Sequence, residues 1–396
     1  MARRMDRRRF LASTAAAGGT VLISACGGGS SSGGGGGGDS GAARPAIGKE
    51  PGKISVYEWQ GYEAAGTKAQ TYMKVPGKSY VDEFGASTIN YTAFQSDDAA
   101  VAKVLSGAQY DLAHPCIGYV HDWVDKGLVE PFDTSLLTNY SELDPEVLDR
   151  GKIDGKQYWI PWDSGYSSIM YRTDKVDPED ATSWNLFWNP KYAGKISMWD
   201  GFTTPMEIAG LVNGVSDIYD MSDEEIEAAK NKLIEQKQVN KFYWKLEYDD
   251  MQPAFKSGDI WITYAWPNDY NDMLAAGLKT GYMVPTEGQL AWYCGFVMLK
   301  NTKNYYHCHK YVDSFIGHDA CVDLFNAFVY ASANTTVKKS DLAIKGPKDP
   351  KAYALPAAAD ALRIGDPNRL AAPVHLERFI PQRAAYQAAW EEVKAS

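Results

Sequence analysis

The chain has 396 residues, with 40 Lys and Arg against 50 Asp and Glu, for a formal net charge of −10. That balance excludes a nucleic-acid binder, which needs clustered basic surface to displace counterions from phosphates. Hydrophobic residues at 45% and aromatics at 13% exclude a disordered chain, and a single long uncharged stretch, at the N-terminus, excludes a multispanning membrane protein.

Arg3, Arg4, Arg7, Arg8 and Arg9 precede an uncharged run over 10–25 that is rich in Ala and Gly. A positive head before a short apolar run is the layout of an export signal, not of a spanning helix. Arg7-Arg8-Arg9-Phe10-Leu11 resembles the twin-arginine pattern, which a receptor for folded cargo reads. Leu22-Ile23-Ser24-Ala25-Cys26 resembles a bacterial lipobox, making residues 1–25 a signal peptide and Cys26 the lipid attachment point. The Gly/Ser tract over 27–38 cannot pack, so residues 26–50 read as a flexible tether. Loss of the signal takes five Arg and one Asp with it and moves the net charge from −10 to −14.

Beyond the tether, β-type runs alternate with helical patterns. A strand over 54–57 leads into a Trp-Gln-Gly-Tyr turn, and a second strand covers 88–94. A helix over 97–105 starts with an acidic turn, a strand follows over 110–113, and a helix over 120–126 stops at Gly127. From residue 196 the pattern repeats: a strand over 196–199, helices over 205–211 and 223–236, and a strand over 259–264. Two α/β units with parallel sheets are expected, and ligands of such sheets bind at the carboxyl ends of the strands.

The turns at those ends are aromatic. They hold Trp59 and Tyr62, Tyr119, Trp199 and Phe202, and Trp266, with Trp162 and Trp292-Tyr293 in the segments between the units. Any one of these rings fits a core position equally well; together they fit a box whose ring faces attract an organic cation by ~0.5–2 kcal/mol each. Asp163, Asp200 and Asp269 stand near these tryptophans and could offset the desolvation of such a cation. The candidate turns carry no Arg or Lys, which weighs against amino-acid ligands.

With Cys26 assigned to the lipid, Cys116, Cys294, Cys308 and Cys321 allow three pairings and show no zinc spacing. His307-Cys308-His309 lies on a helical pattern whose alternate residues face different ways, which favours a structural or solvent-facing role over a metal site.

Several stretches carry a family resemblance: the run from Val56 to Gly61-Tyr62, Gly127-Leu128-Val129 with Phe132-Asp133, Ile160-Pro161-Trp162, Thr182-Ser183-Trp184, and Asn189-Pro190-Lys191-Tyr192-Ala193-Gly194-Lys195. By their order and spacing, the chain over roughly 54–340 resembles the spermidine/putrescine-binding proteins of ABC transporters. The resemblance implies an α/β fold of two lobes joined by crossing strands, with ligand enclosed between them. Lobe 1 would be 51–165 plus 293–340 and lobe 2 166–292 plus 341–396, with hinges near Tyr166, Tyr293 and Ser340. It also implies ligand-stacking rings at Trp59, Tyr62, Trp266, Trp292 and Tyr330. The family's polar positions are altered: an aspartate position holds Cys294, a serine position Cys116, a tyrosine position Gly118, and an acidic pair falls on Asp200 and Thr204. Asp163 or Asp269 could restore the missing charge.

The expected function is that of an extracytoplasmic, lipid-anchored binding protein that presents a polyamine or related organic amine to an ABC permease by lobe closure. No cofactor, metal or catalytic residue is expected, and the protein is expected to be a monomer. A quaternary ammonium compound or another small solute, or a sensor role, stays open. The enzyme alternative lacks a Gly-x-Ser-x-Gly elbow, a Walker loop or a His-Glu-x-x-His motif, and the six His are scattered.

Overall fold

In the computed structural model, which describes residues 45–59, 80–244, 250–342, 356–364, 366 and 373–396, the first β-branched runs form parallel strands. β1 (Ile54–Trp59) lies between β2 (Ile89–Phe94) and β3 (Leu112–Ala113), with Val56 opposite Tyr91 on one side and Leu112 on the other. α1 (Asp97–Leu105) begins where the sequence places it because Ser96 is an extended N-cap whose hydroxyl accepts from the Ala99 N–H. Asp97 and Asp98 add negative charge at the positive end of the helix dipole. α2 (Val120–Asp125) ends just before Gly127, which adopts a φ of 65°.

β4 (Trp159–Arg172) comes next, 14 residues long and buried over its first twelve. Its sequence holds a proline, a glycine and three serines, and because both faces are covered it shows no alternation of polar and apolar residues. The parallel pattern then recurs. β5 (Ile196–Trp199) is followed by α3 (Thr203–Val212), α4 (Asp223–Lys237) and β6 (Asn240–Trp244), and then by β7 (Ile262–Ala265) and α5 (Pro267–Ala275). β5 pairs in parallel with both β6 and β7. A capping box between Ser222 and Glu225 sets the start of α4.

β8 (Thr280–Tyr282) leads to the second long strand, β9 (Gln289–Leu299). After it come α6 (Tyr305–Ile316), α7 (His318–Phe328), β10 (Ala331–Ser332), β11 (Val374–Leu376) and α8 (Arg383–Ala395). The sheet runs β2-β1-β3-β9-β4-β7-β5-β6, with β8 and β10 also on β4 and β11 on β9. Two parallel wings are therefore bridged by the antiparallel pair β4/β9. β4 serves both: Trp159 to Ser167 face β9, while Ser168 to Arg172 face β7 and β8. Trp123, Trp159 and Trp162 fill the core beside the first wing, and Trp184, Trp244 and Phe255 that of the second, each less than 2% exposed. Burial of a large apolar side chain contributes about 1.5–3 kcal/mol.

The register of β9 on β4 shifts after Cys294, which faces Asp163, so that Gly295 faces Pro161. A Cβ at Gly295 would collide with the Ile160 carbonyl oxygen and the Pro161 backbone, neither of which can rotate away. Gly295→Ala is expected to lower the unfolding free energy by about 3 kcal/mol. Denaturant titration showing a loss below about 0.5 kcal/mol would contradict this close approach.

Candidate functional site

Both wings open on one cavity of about 530 Å³. Its floor follows from strand alternation: Leu290, Trp292 and Cys294 project from one face of β9, and Asp163 and Ser167 from the same face of β4. Trp292 lies opposite Gly165, and the glycine is required because a Cβ there would sit 2.6 Å from the indole ring. Tyr330 meets Trp292 edge-on with centroids 5.0 Å apart, and its hydroxyl donates to Asn268 at 3.3 Å. Trp59 enters from the end of β1, tilted against Phe94 at 4.7 Å. From the second wing comes Trp266, surrounded by Trp199, Trp244 and Tyr264 at 5.2, 5.4 and 5.6 Å. The indole N–H groups of Trp59 and Trp292 are buried and have no hydrogen-bond partner among the described residues.

Of the residues singled out from sequence, Trp59, Cys116, Asp163, Asp200, Thr204, Trp266, Trp292, Cys294 and Tyr330 all line this cavity. Tyr62 and Cys26 lie outside the described residues. Asp269 stands behind the wall, fully buried, where its carboxylate accepts from the Trp266 N–H at 3.1 Å and from Gln252 at 3.0 Å. Burial pushes this carboxyl up to about 6, against the pull of those hydrogen bonds. It thus holds the α5 N-terminus and the backbone that carries Trp266. Asp200 accepts from the Trp390 indole at 3.0 Å and lies 3.5 Å from Lys394.

Asp163 belongs to a buried charged trio that the sequence does not announce. His114, just past the end of β3, lies 2.5 Å from Glu58 through Nδ1 and 2.9 Å from Asp163 through Nε2, all three at most 2% exposed. Burial pulls the imidazolium down, but the two carboxylates outweigh it and hold the ring at about 10. Glu58 is raised by burial in spite of His114. Of the three, Asp163 is the one that lines the cavity.

Cys116 and Cys294 form a disulfide in the cavity wall, joining the segment after β3 to β9, while Cys308 and Cys321 are free and buried. The His307-Cys308-His309 run is buried: the His307 ring bonds the Tyr80 hydroxyl at 2.9 Å, and His309 accepts from the Asp133 N–H at 2.9 Å. Sequence reasoning missed Asp97, Asp98, Glu207 and Glu377 in the cavity wall. Glu207 had a signal, being the one charged residue in the apolar run of α3. The candidate turns carry no Arg or Lys, but α8, which the sequence reading did not place at the cavity, brings Lys394 into the wall. That ammonium is already balanced by Glu391 at 3.0 Å and by Asp200.

Residues 78–354 match the bacterial extracellular solute-binding proteins, and the chain belongs to that family, one of binding proteins and not of enzymes. The chain is 26% identical over 285 residues to the spermidine/putrescine-binding periplasmic protein of Escherichia coli K12, covering 72% of this chain and 78% of that protein. A solved structure assigned to a spermidine/putrescine ABC transporter of Listeria monocytogenes superposes with a TM-score of 0.68 at 21% identity, over 87% of this chain and 99% of that one. The Tp0655 (TpPotD) lipoprotein of Treponema pallidum gives 0.67 at 19% identity, over 86% and 98%. The fold is thus the two-lobe α/β fold of periplasmic binding proteins. Among the described residues, no helix is long and apolar enough to cross a membrane.

The folded-state value of His114 lies above its unfolded value of about 6.5. Its contribution to stability is therefore complete below that pH and is lost as pH rises through about 10. His114→Gln is expected to cost about 3–5 kcal/mol at pH 7, since it strands two buried carboxylates, and to remove this alkaline loss from the stability profile. An unchanged profile between pH 6 and 10 would contradict the trio's charge state. The Cys116–Cys294 bridge spans 178 residues, and its replacement by a serine pair is expected to lower stability by about 2–5 kcal/mol in denaturant melts.

Proposed function

We propose that this chain is the substrate-binding component of an ABC importer and that its cavity takes a polyamine or a related organic amine. The observation that carries the reading is the convergence on one opening of electron-rich rings, Trp59 from one wing, Trp266 from the other, and Trp292 with its neighbour Tyr330 at the bridging strands, with the Asp163 carboxylate among them. Ring faces stabilise an organic cation by ~0.5–2 kcal/mol each where water is excluded, and the carboxylates offset the desolvation of its nitrogens. The two unpartnered indole N–H groups support a wall made to meet a solute, since buried donors are ordinarily satisfied within the protein. Relatives named as spermidine/putrescine-binding and putrescine-binding proteins support the same ligand class.

In this reading residues 51–165 with 293–340 form one lobe and 166–292 with 341–396 the other, supported by the change of partners of β4 between Ser167 and Ser168. A ligand touching both lobes shifts the population toward a closed form that the permease subunits recognise. The twin-arginine and lipobox patterns support export and anchoring through Cys26 to the outer face of the cell membrane, with the Gly/Ser tract as the tether.

Calorimetric titration with putrescine and spermidine tests the reading. Trp266→Ala and Trp292→Ala are each expected to weaken binding at least tenfold while leaving a cooperative unfolding transition. Wild-type affinity in both variants would remove the rings from the site.

A further inference from the structure

The Cys116–Cys294 bridge stands in the cavity wall, at the junction of the wings. Cys116 follows β3 and is partly exposed, so the cavity gives access to it, whereas Cys294 is 4% exposed. Cys294 lies on β9 where the register against β4 shifts, directly opposite Asp163. Two residues before it, Trp292 projects from the same face. The bond therefore fixes the distance between the Cys116 segment and the strand that carries the ring wall. Cys308 and Cys321 are enclosed in the core, with their thiols donating to the Asp111 and Phe315 carbonyls. Burial pushes both thiols up, Cys321 to about 12, so neither supplies a thiolate that would reshuffle the bridge.

The backbone around the bridge is also held without it. The Pro115 carbonyl accepts from the Gly295 N–H and from the Trp159 indole, both at 3.1 Å, and the Asp97 carboxylate accepts from the Cys116 N–H at 3.2 Å. Beside them β3 pairs with β9, Ala113 opposite Val297 and Leu112 opposite Met298. Opening the bond thus leaves the strands paired and acts on the wall. Two thiols need full van der Waals separation where two bonded sulfurs do not, so the Cys116 segment and β9 are pressed apart next to Trp292 and Asp163. Charge in the wall also selects the reagent. Among the described residues a single lysine faces several acidic side chains, which disfavours an anionic thiolate, whereas a thiol that carries an ammonium attacks as a neutral zwitterion.

We propose that Cys116–Cys294 is a redox site reached through the ligand cavity, reduced there by a small dithiol that bears an amino group, and that its reduction weakens solute binding. The loss of affinity rests on the reading of the cavity as an amine site; the reduction does not. The thiolate of the reagent attacks Cys116 Sγ, since Cys116 is the more exposed of the two. The bond to Cys294 breaks, and Cys294 leaves as a thiolate that takes up a proton. The second thiol of the reagent then loses its proton, attacks the mixed disulfide and releases Cys116 as a thiolate, which is protonated in turn. Two electrons and two protons thus pass to the cysteines, and the reagent closes to a cyclic disulfide. Because the coupling is reciprocal, a solute that favours the bridged form makes the bridge harder to reduce by the same factor.

The test follows reduction of the full chain at pH 7.5 by 2-amino-1,4-dimercaptobutane and by dithiothreitol, with alkylation and mass mapping of the peptides that hold Cys116 and Cys294. Native protein is expected to be reduced at this bond while Cys308 and Cys321 stay unalkylated. The rate advantage of the amino reagent is expected to be at least threefold larger for native protein than for the urea-unfolded chain, where only the reagents' own reactivity counts. Spermidine affinity by calorimetry is expected to fall at least tenfold on reduction and to return on reoxidation, and saturating spermidine is expected to slow the reduction. The double variant Cys116→Ser with Cys294→Ser is expected to show the lower affinity with or without dithiol. Should that variant fail to fold, the wild type taken through one cycle of reduction and reoxidation decides the matter. A bond reduced only in urea, an equal advantage in both states, or a reduced protein that keeps its spermidine affinity would overturn the proposal while the amine reading stands. A bridged wild type that binds no spermidine would overturn the amine reading instead, and native reduction with its reagent preference then decides the redox site.

Discussion

The antiparallel pairing of β4 with β9 is the constraint on which the other features of the site depend. Each wing alone is a small parallel sheet whose strand ends carry aromatic turns, and neither contains a complete binding surface. The long pair places Trp292 across from Gly165 and Cys294 across from Asp163 in a fixed register. Because β4 continues into the second wing, the same strand that carries Asp163 also sets the position of β7, and through it Trp266. A slip of one residue would turn Trp292 and Asp163 to the opposite face. The backbone approach at Gly295, the Cys116–Cys294 bridge and the His114 trio all lie at this junction, and each resists such a slip.

The electrostatics of the cavity follow from a conflict between burial and charge. Among the described residues, seven acidic side chains line it against a single lysine, and only some of these acids have internal partners. Asp163 is held by an imidazolium, and Asp200 by an indole and an ammonium. Glu207 and Glu377 have no comparable partner among the described residues, and burial raises both. An acidic, ring-lined opening of this kind disfavours anionic solutes and raises the local concentration of cations, within a screening length of about 8–10 Å at physiological salt.

The sequence made the wings legible and left their connection hidden. Residues 54–57 and 196–199 are short β-branched or apolar runs before turns, and Ser96 and Ser222 are helix caps, so local chemistry decides them. β4 and β9 are covered on both faces, which removes the alternation that reveals a strand; crossing strands were expected only through the family resemblance. The ring wall could be anticipated because Trp59 ends a strand and Trp266 directly follows one. His114, Glu377 and Lys394 could not, since their roles depend on partners at Glu58, Gly118 and Asp200, 56, 259 and 194 residues away in the chain. The pairing of Cys116 with Cys294 is set by the strand register and lay among three options that composition cannot separate.

A crystal structure of the protein grown with spermidine tests the central claim most directly. The account predicts density for the amine between the two wings, with one cationic nitrogen within about 6 Å of the ring centroids of Trp292 and Trp266 and in contact with the Asp163 carboxylate. Density for the ligand on another surface, or an occupied cavity whose nitrogens avoid these rings, would contradict it.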